Sequence, residues 1–384
     1  MSAHTYRKRL SFVSMVSQFS ISMVNFALVY FLREKGFSSS EIGIAASIYP
    51  LMYLVFCIIF AKTLSSRSLK GKIALSYIGM LFSVAMIILS PNKAVSYISL
   101  VLYGISMALL WPNMETWITK GAEGDELNAS VSSFNFAWSF GAGISTLLGG
   151  ILSERSSSLP LYLSIALFLA LTLTIATTRG GGSDKESAEE KKPDQSTPLR
   201  YFSWIGILLL YSGYSLIINI FPLYALEQLG FSESLTGMLL LFRGITACIA
   251  FVLLGRVSFW QFSKSSIIAS QSLYILLILL MGSITSPALF SLFFIAFGVD
   301  FSLIYLLSIF HGASGAADRE KRMMVHEVLL TVGTVIGSLF GGIIYEKFTF
   351  QNVLNMIFIV SFATLVVEIP LMRRTGRAVI QKNR

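Results

Sequence analysis

The sequence predicts an all-α membrane protein: twelve transmembrane helices in two pseudo-symmetric six-helix bundles. Three observations lead there: a composition poor in charge, a series of twelve long apolar stretches, and a repeat relating the two halves of the chain. Of 384 residues, 54% are hydrophobic and only 13% charged, with a mean hydropathy of +0.72. A soluble domain carries about 25% charged residues, and so few polar groups cannot cover a water-exposed surface of this size. The 30 Phe and 29 Gly suit helices that pack closely in lipid. The net charge of +9 does not mark a nucleic-acid binder, because the charges fall between apolar stretches and not on one face.

A helix needs about 20 mostly apolar residues to cross a bilayer. The first half offers spans at 10–32, 41–61, 73–90, 96–118, 127–152 and 158–177. The second offers 202–225, 234–255, 264–282, 287–310, 322–346 and 350–371. Connections are short except for 178–199, which is Gly/Ser-rich and then mixed in charge with prolines. It reads as a disordered linker between a half at 1–177 and a half at 200–384. Arg7-Lys8-Arg9 followed by a long apolar stretch, without a small-residue cleavage site, reads as a retained first span and not a cleaved leader. Lys and Arg divide 23 to five between the two sides of the membrane when both termini are put in the cytoplasm, with Arg243 inside a span. That asymmetry predicts a multi-pass protein of the cell membrane with both termini cytoplasmic.

The halves repeat at nearly constant spacing. At an offset of 194, Asn25 matches Asn219, Tyr30 matches Tyr224, Gly36-Phe37-Ser38 matches Gly230-Phe231-Ser232, and Gly43 matches Gly237. At an offset of 192, Gly141 matches Gly333, Gly149-Gly150 matches Gly341-Gly342, and Glu154 matches Glu346. Two parallel repeats of this kind are a recurrent transporter plan, with the substrate site near midplane between them.

After the second span the chain reads Phe60-Ala61-Lys62-Thr63-Leu64-Ser65-Ser66-Arg67, then Lys70, Gly71 and Lys72; the second-half counterpart is Gly255-Arg256. The fifth span carries Gly141, Ser145, Thr146, Gly149 and Gly150, and the eleventh Gly333, Gly337, Ser338, Gly341 and Gly342. On these motifs the chain resembles the major facilitator superfamily along nearly its whole length. The family's loop motif is roughly Gly-x-Leu-Ala-Asp-Arg-x-Gly-Arg-Arg; the basic residues match here and the aspartate is missing. Its antiporter motif, Gly-x-x-x-Gly-Pro-x-x-Gly-Gly, matches in glycine spacing and lacks the proline. The resemblance implies a central cavity lined by spans 1, 4, 7 and 10, alternating access by rocking of the halves, and export. It makes Lys62, Arg256, Gly149, Gly150, Gly341 and Gly342 gating candidates.

Ionisable groups inside a span are costly and are functional hypotheses by default. Arg243 lies about ten residues into span 8 and Asp300 about twelve into span 10; at about 1.5 Å per residue the two share a depth near midplane. They are expected to face the cavity and pair, with a static structural pair as the alternative. Span 11 opens with His326-Glu327, and Glu327, Thr331, Thr334 and Ser338 share one helical face. His326 and Glu327 are a proton-site candidate or hydrated interface groups. Asn135, Ser139 and Thr146 on span 5 are repeat partners of that face. Span 1 carries a polar stripe of Ser11, Ser14, Gln18, Ser22 and Asn25, suited to a wet wall or to interhelical hydrogen bonds. Span 7 supplies Tyr211, Tyr214 and Asn219, with Pro222 bending its outer end. Trp111, Pro112, Glu115 and Trp117 end span 4 as an inner gate, Trp117 being alternatively an interface anchor.

Three scattered His, no phosphate-binding loop and two Cys on separate spans exclude a metal, nucleotide-hydrolysing or catalytic constellation. No cofactor is expected, the partners are the lipid bilayer, a small-molecule substrate and protons, and the chain is read as a monomer that binds no nucleic acid. The expected function is proton-coupled efflux of a small organic solute. Uptake by symport or facilitation is the alternative, and a non-transporting sensor or scaffold is the alternative from another class.

Overall fold

The computed structural model describes residues 3–63, 68–119, 124–178, 196–316 and 319–382, with side chains for 8–60, 68–118, 133–178, 196–316 and 321–374. The linker residues 179–195 and the Lys62 side chain lie outside the described residues.

The fold is all-helical. The first half contains α1 (Ala3–Glu34), α2 (Ser39–Thr63), α3 (Leu69–Leu89), α4 (Lys93–Ala108), α5 (Trp111–Thr119), α6 (Gly124–Arg155) and α7 (Leu159–Thr177). The second contains α8 (Leu199–Asn219), α9 (Phe221–Glu227), α10 (Glu233–Leu254), α11 (Lys264–Met281), α12 (Pro287–Ala313), α13 (Arg319–Lys347) and α14 (Phe350–Lys382). Twelve stretches among them are long and apolar enough to cross a membrane. Two predicted spans are each broken in two. Span 4 breaks at Leu109–Leu110, before Pro112, and span 7 breaks at Ile220, before Pro222. In both cases the proline stands in the first turn of the second piece, where its missing N–H costs nothing.

An even number of crossings puts both termini at one end of the bundle, here the terminal end; the other is the far end. The first connection of each half lies at the far end and uses the same device. Gly36 and Gly230 sit at φ 77° and 67°, the left-handed region that glycine adopts without penalty. Gly36 N–H donates to Arg33 O at 3.0 Å and Phe37 N–H to Leu32 O at 3.0 Å, closing α1. Ser38 and Glu41 then form a reciprocal cap, Ser38 N–H to Glu41 Oε2 at 2.8 Å and Glu41 N–H to Ser38 Oγ at 3.3 Å. Ser232 caps α10 in the equivalent place, accepting from Leu235 N–H at 3.3 Å.

Large apolar side chains such as Leu75 and Phe82 on α3, Leu169 and Leu173 on α7, Leu292 on α12 and Val366 on α14 stand exposed, as a hydrocarbon solvent requires. Across the halves α2 packs on α13 and α6 on α10. Glycines set those contacts. A Cβ on Gly43 would stand 2.5 Å from Ser338 O, and one on Gly342 2.5 Å from Ser39 O. On the other side a Cβ on Gly150 would meet Glu233 O at 2.4 Å, and one on Gly237 would meet Thr146 O at 2.2 Å. These four glycines are two repeat pairs, so the predicted symmetry reappears in the contacts themselves. Gly149 and Gly341 turn inward instead, toward Phe26 and Met23 on α1 and toward Leu216 on α8 and Ile220 at the break.

Candidate functional site

The halves meet tightly at the far end. Arg33 of α1 pairs with Glu227 of α9 at 2.6 Å, and Tyr345 OH donates to the other oxygen of Glu227 at 3.0 Å. Ser40 N–H donates to Glu346 Oε2 at 2.6 Å. Deeper in, Ser47 Oγ donates to Val335 O at 3.2 Å. Asn25 and Asn219, the repeat-related pair, line one small space with Leu28, Ile42 and Tyr49. Asn219 donates to Ser338 Oγ at 2.9 Å, whereas the Asn25 side-chain oxygen is buried without a hydrogen bond among the described residues. Both therefore belong to the closed part of the interface.

Toward the terminal end the halves part. Glu115 of α5 and Glu327 of α13 are exposed, yet come from opposite halves and are close enough to interact electrostatically. Tyr53 and Cys57 of α2 and Tyr305 of α12 lie within electrostatic reach of both. Asn135 is exposed on α6. The two carboxylates thus flank an opening lined by phenolic and thiol groups. Trp111 does not reach across it; the indole is buried and packs edge-on against Phe134 at 6.2 Å within its own half. Glu115 lies on α5, the short helix that follows the break at Leu109–Leu110.

Deeper in lies an aromatic cluster with one cation. The Arg243 guanidinium sits over the Tyr214 ring at 4.8 Å and near Phe301 at 5.7 Å. Tyr211 packs on Tyr214 at 5.4 Å and on Phe301 at 5.7 Å. Tyr211 is also in electrostatic contact with both Arg243 and Glu327, so it joins the cation to the mouth of the cavity. Tyr49 reaches this group from the other half. Among the described residues Arg243 makes no hydrogen bond or ion pair, and its Nε is buried without a partner. A buried cation left unpaired is costly and leaves its donors open to a bound group.

The expected Arg243–Asp300 pair is not formed. Asp300 is 1% exposed and neither carboxylate oxygen is hydrogen-bonded. Its neighbour is Tyr274 of α11. The reason is azimuth. On α12 Gly298 and Ser302 face α10, Gly298 against Arg243 O and Ser302 donating to Ala247 O at 3.0 Å. Asp300 is two residues from each, about 200° around the helix, and so points away from Arg243. His326 is likewise separated from Glu327. It is buried between α13 and α12, bonded through Nδ1 to Ser308 Oγ at 2.8 Å and edge-on to Tyr305 at 5.1 Å, while Glu327 faces the cavity.

The polar stripe of α1 is mostly consumed by helix contacts. Ser14 donates back to Leu10 O at 3.0 Å, Gln18 to Ser22 Oγ at 2.8 Å, and Ser133 of α6 to Ser11 Oγ at 3.0 Å. Arg256 is exposed beyond the end of α10, and Lys62 lies at the matching end of α2. Glu368 was missed by the sequence reading although it lies within the twelfth span; the criterion that singled out Arg243 and Asp300 applies to it equally. It is 2% exposed, with both oxygens unbonded.

The sequence profile described as Major Facilitator Superfamily matches residues 10–322 and again 203–383. Multidrug resistance protein 1 of Bacillus subtilis (strain 168) is 23% identical over 365 residues, covering 88% of this chain and 91% of that protein. Among solved structures, the nucleoside transporter NupG superposes with a TM-score of 0.72 at 14% identity over 97% of this chain and 99% of that one. A bacterial homologue of the human lysosomal transporter Spinster, in an inward-facing and unoccupied conformation, superposes with a TM-score of 0.70 at 13% identity over 99% and 98%.

Proposed function

The chain belongs to the Major Facilitator Superfamily, is a transporter and not an enzyme, and on that premise we propose that it exports a small organic solute in exchange for protons. The observation that carries this reading is the pair Glu115 and Glu327, one from each half, exposed in one opening. Alternating access requires the halves to close at that end. Closure drives two carboxylates together, and like charges about 4 Å apart at an effective dielectric near 20 repel by roughly 4 kcal/mol. A proton on one of them removes that barrier, so the protonation state sets which end opens. Arg243 with Tyr211, Tyr214 and Phe301 forms the deeper subsite, which suits an aromatic solute bearing an acidic or strongly polar group. The name of the Bacillus relative, a multidrug resistance protein, supports efflux as the direction.

The test is flux in proteoliposomes with purified protein and an imposed pH gradient, screened over labelled amphipathic compounds. A gradient-dependent flux, collapsed by a protonophore, is the expected result. Equal flux with and without the gradient would rule out coupling.

Efflux also needs an orientation. The basic asymmetry assigns both termini and the linker 178–199, between the halves 1–177 and 200–384, to the cytoplasm of the cell membrane. The open end described above is then the cytoplasmic one. Protease added to inverted vesicles is expected to cut the linker, and protease added to right-side-out vesicles to leave it intact; the opposite pattern reverses the assignment. The protein is taken to act as a monomer, since the cavity between its own halves is complete.

A further inference from the structure

We propose that Asp300 and Glu368 are proton-binding sites inside the C-terminal half, joined along α11 by Tyr274 and Gln271 and separate from the cavity between the halves. The two acids come from different helices, α12 and α14, and both face α11. Asp300 neighbours Tyr274, and Glu368 neighbours Gln271, one turn earlier on the same helix. The polar groups of α11 bond chiefly to α8, and Gln271 reaches Glu368 only loosely. Tyr274 OH donates to Leu209 O at 2.8 Å and Gln271 Nε2 to Phe202 O at 3.2 Å, both on α8. What is left unbonded among the described residues is therefore a set of acceptors: both oxygens of Asp300, both of Glu368, and the side-chain oxygen of Gln271, which is 4% exposed. Ser361 of α14, beside Tyr274, adds one unbonded hydroxyl donor against these five acceptors. Buried acceptors in excess of donors call for a ligand that brings hydrogen or positive charge.

Among the described residues no cation meets this need. Arg243 of α10 lies over Tyr214 and Phe301. Lys264 of α11 donates to Met372 O at 2.5 Å, one turn beyond Glu368. His311 of α12 is held by Ser203 Oγ at 2.8 Å, and His326 of α13 by Ser308 Oγ. Tyr211 and Tyr214 of α8 face the aromatic cluster. The unbonded side-chain oxygens around Glu368 among the described residues are its own two and that of Gln271, too few to replace the hydration shell of an alkali ion. A proton needs one oxygen. The line from Asp300 through Tyr274 and Gln271 to Glu368 also has a direction. Asp300 is about midway along α12, whereas Glu368 is one turn from the terminal-end contact of Lys264 with Met372, so the line runs from mid-depth to the terminal end, where an imported proton leaves.

The experiment is infrared spectroscopy of the full-length protein in lipid bilayers, reading the C=O stretch of protonated carboxyl groups at neutral pH. Asp300→Asn and Glu368→Gln are each expected to remove one such band, and the double variant to remove both. Where Asp300→Asn fails to fold, Asp300→Glu is expected to shift its band instead of removing it. Spectra in which neither substitution alters a protonated-carboxyl band would overturn the proposal, since both acids would then be charged. So would bands that appear only when sodium is removed, which would mark an alkali-ion site. The readout does not involve solute flux, so its failure leaves the exchange reading of the cavity untouched and is separable from it.

Discussion

Glu327→Gln is expected to leave the protein folded and inserted, and to lower pH-driven flux at least ~10-fold, equivalent to about 1.4 kcal/mol of barrier or driving free energy. The side chain is exposed in the cavity, so losing its charge removes no packing and strands no partner. Gln keeps the shape and the hydrogen-bonding capacity while fixing the group in a neutral state. Closure at the terminal end then no longer waits for a proton. Exchange between the two open states should persist, and solute should equilibrate without being concentrated. Counterflow of labelled solute against unlabelled solute in proteoliposomes separates these outcomes: counterflow retained with gradient-driven accumulation lost is the expected pattern. Accumulation that survives with wild-type pH dependence would move the coupling role away from this carboxylate. Glu115→Gln should act in the same direction, because either member of a facing pair relieves the repulsion.

Gly150→Leu is expected to abolish sealing at the far end, with flux falling more than ~10-fold through a shift of state and not through loss of protein. A Cβ there would stand 2.4 Å from Glu233 O. That atom is backbone, so it cannot swing aside as a side-chain tip would, and overpacking of this sort typically costs about 1–3 kcal/mol. The cost falls only on the state in which the far end is shut. Gly342→Leu should reproduce the effect, because its Cβ meets Ser39 O at 2.5 Å in the repeat-related place. Gly149→Leu is the control. Its crowding is against Phe26 and Met23 within one half, so it should lower thermal stability without changing the distribution. Paired spin-label distances across the far end check this, and an unchanged distribution in Gly150→Leu would refute it.

Much of the fold was legible because lipid is a demanding solvent. A span must be apolar and long, which fixed twelve spans to within a few residues. Glycine spacing and the two offsets carried the symmetry, and the same glycines turn out to make the contacts. The loop Gly36-Phe37-Ser38 and its counterpart were readable for a local reason, since only glycine adopts that φ cheaply and Ser is a strong helix cap. What failed was azimuth. Depth along a helix follows from residue count, and by depth Arg243 and Asp300 match. Which way each points depends on the face its helix gives to its neighbours. For α12 that face was written in Gly298 and Ser302, small residues four apart, and reading it would have turned Asp300 away from Arg243. His326 and Glu327 show the same limit, since adjacent residues on a helix diverge by about 100°. Glu115 also lies past the break in span 4, where Pro112 marks the site but not the direction of the bend.

One contact between the halves lies at mid-depth and not at either end. A Cβ on Gly244 of α10 would stand 2.8 Å from the Cα of Gly143 on α6, and each residue is about a dozen positions from the far end of its helix. Two rigid bodies that touch halfway along their length form a lever. Motion that parts them at one end brings them together at the other, and the contact itself travels little. Bulk added at the extremities acts with a long arm and selects a state, whereas bulk added at the fulcrum burdens both states alike and leaves their ratio as it was. The smallness of the residues at Gly143 and Gly244 therefore sets how freely the lever turns, while the side chains at its two tips set where it comes to rest.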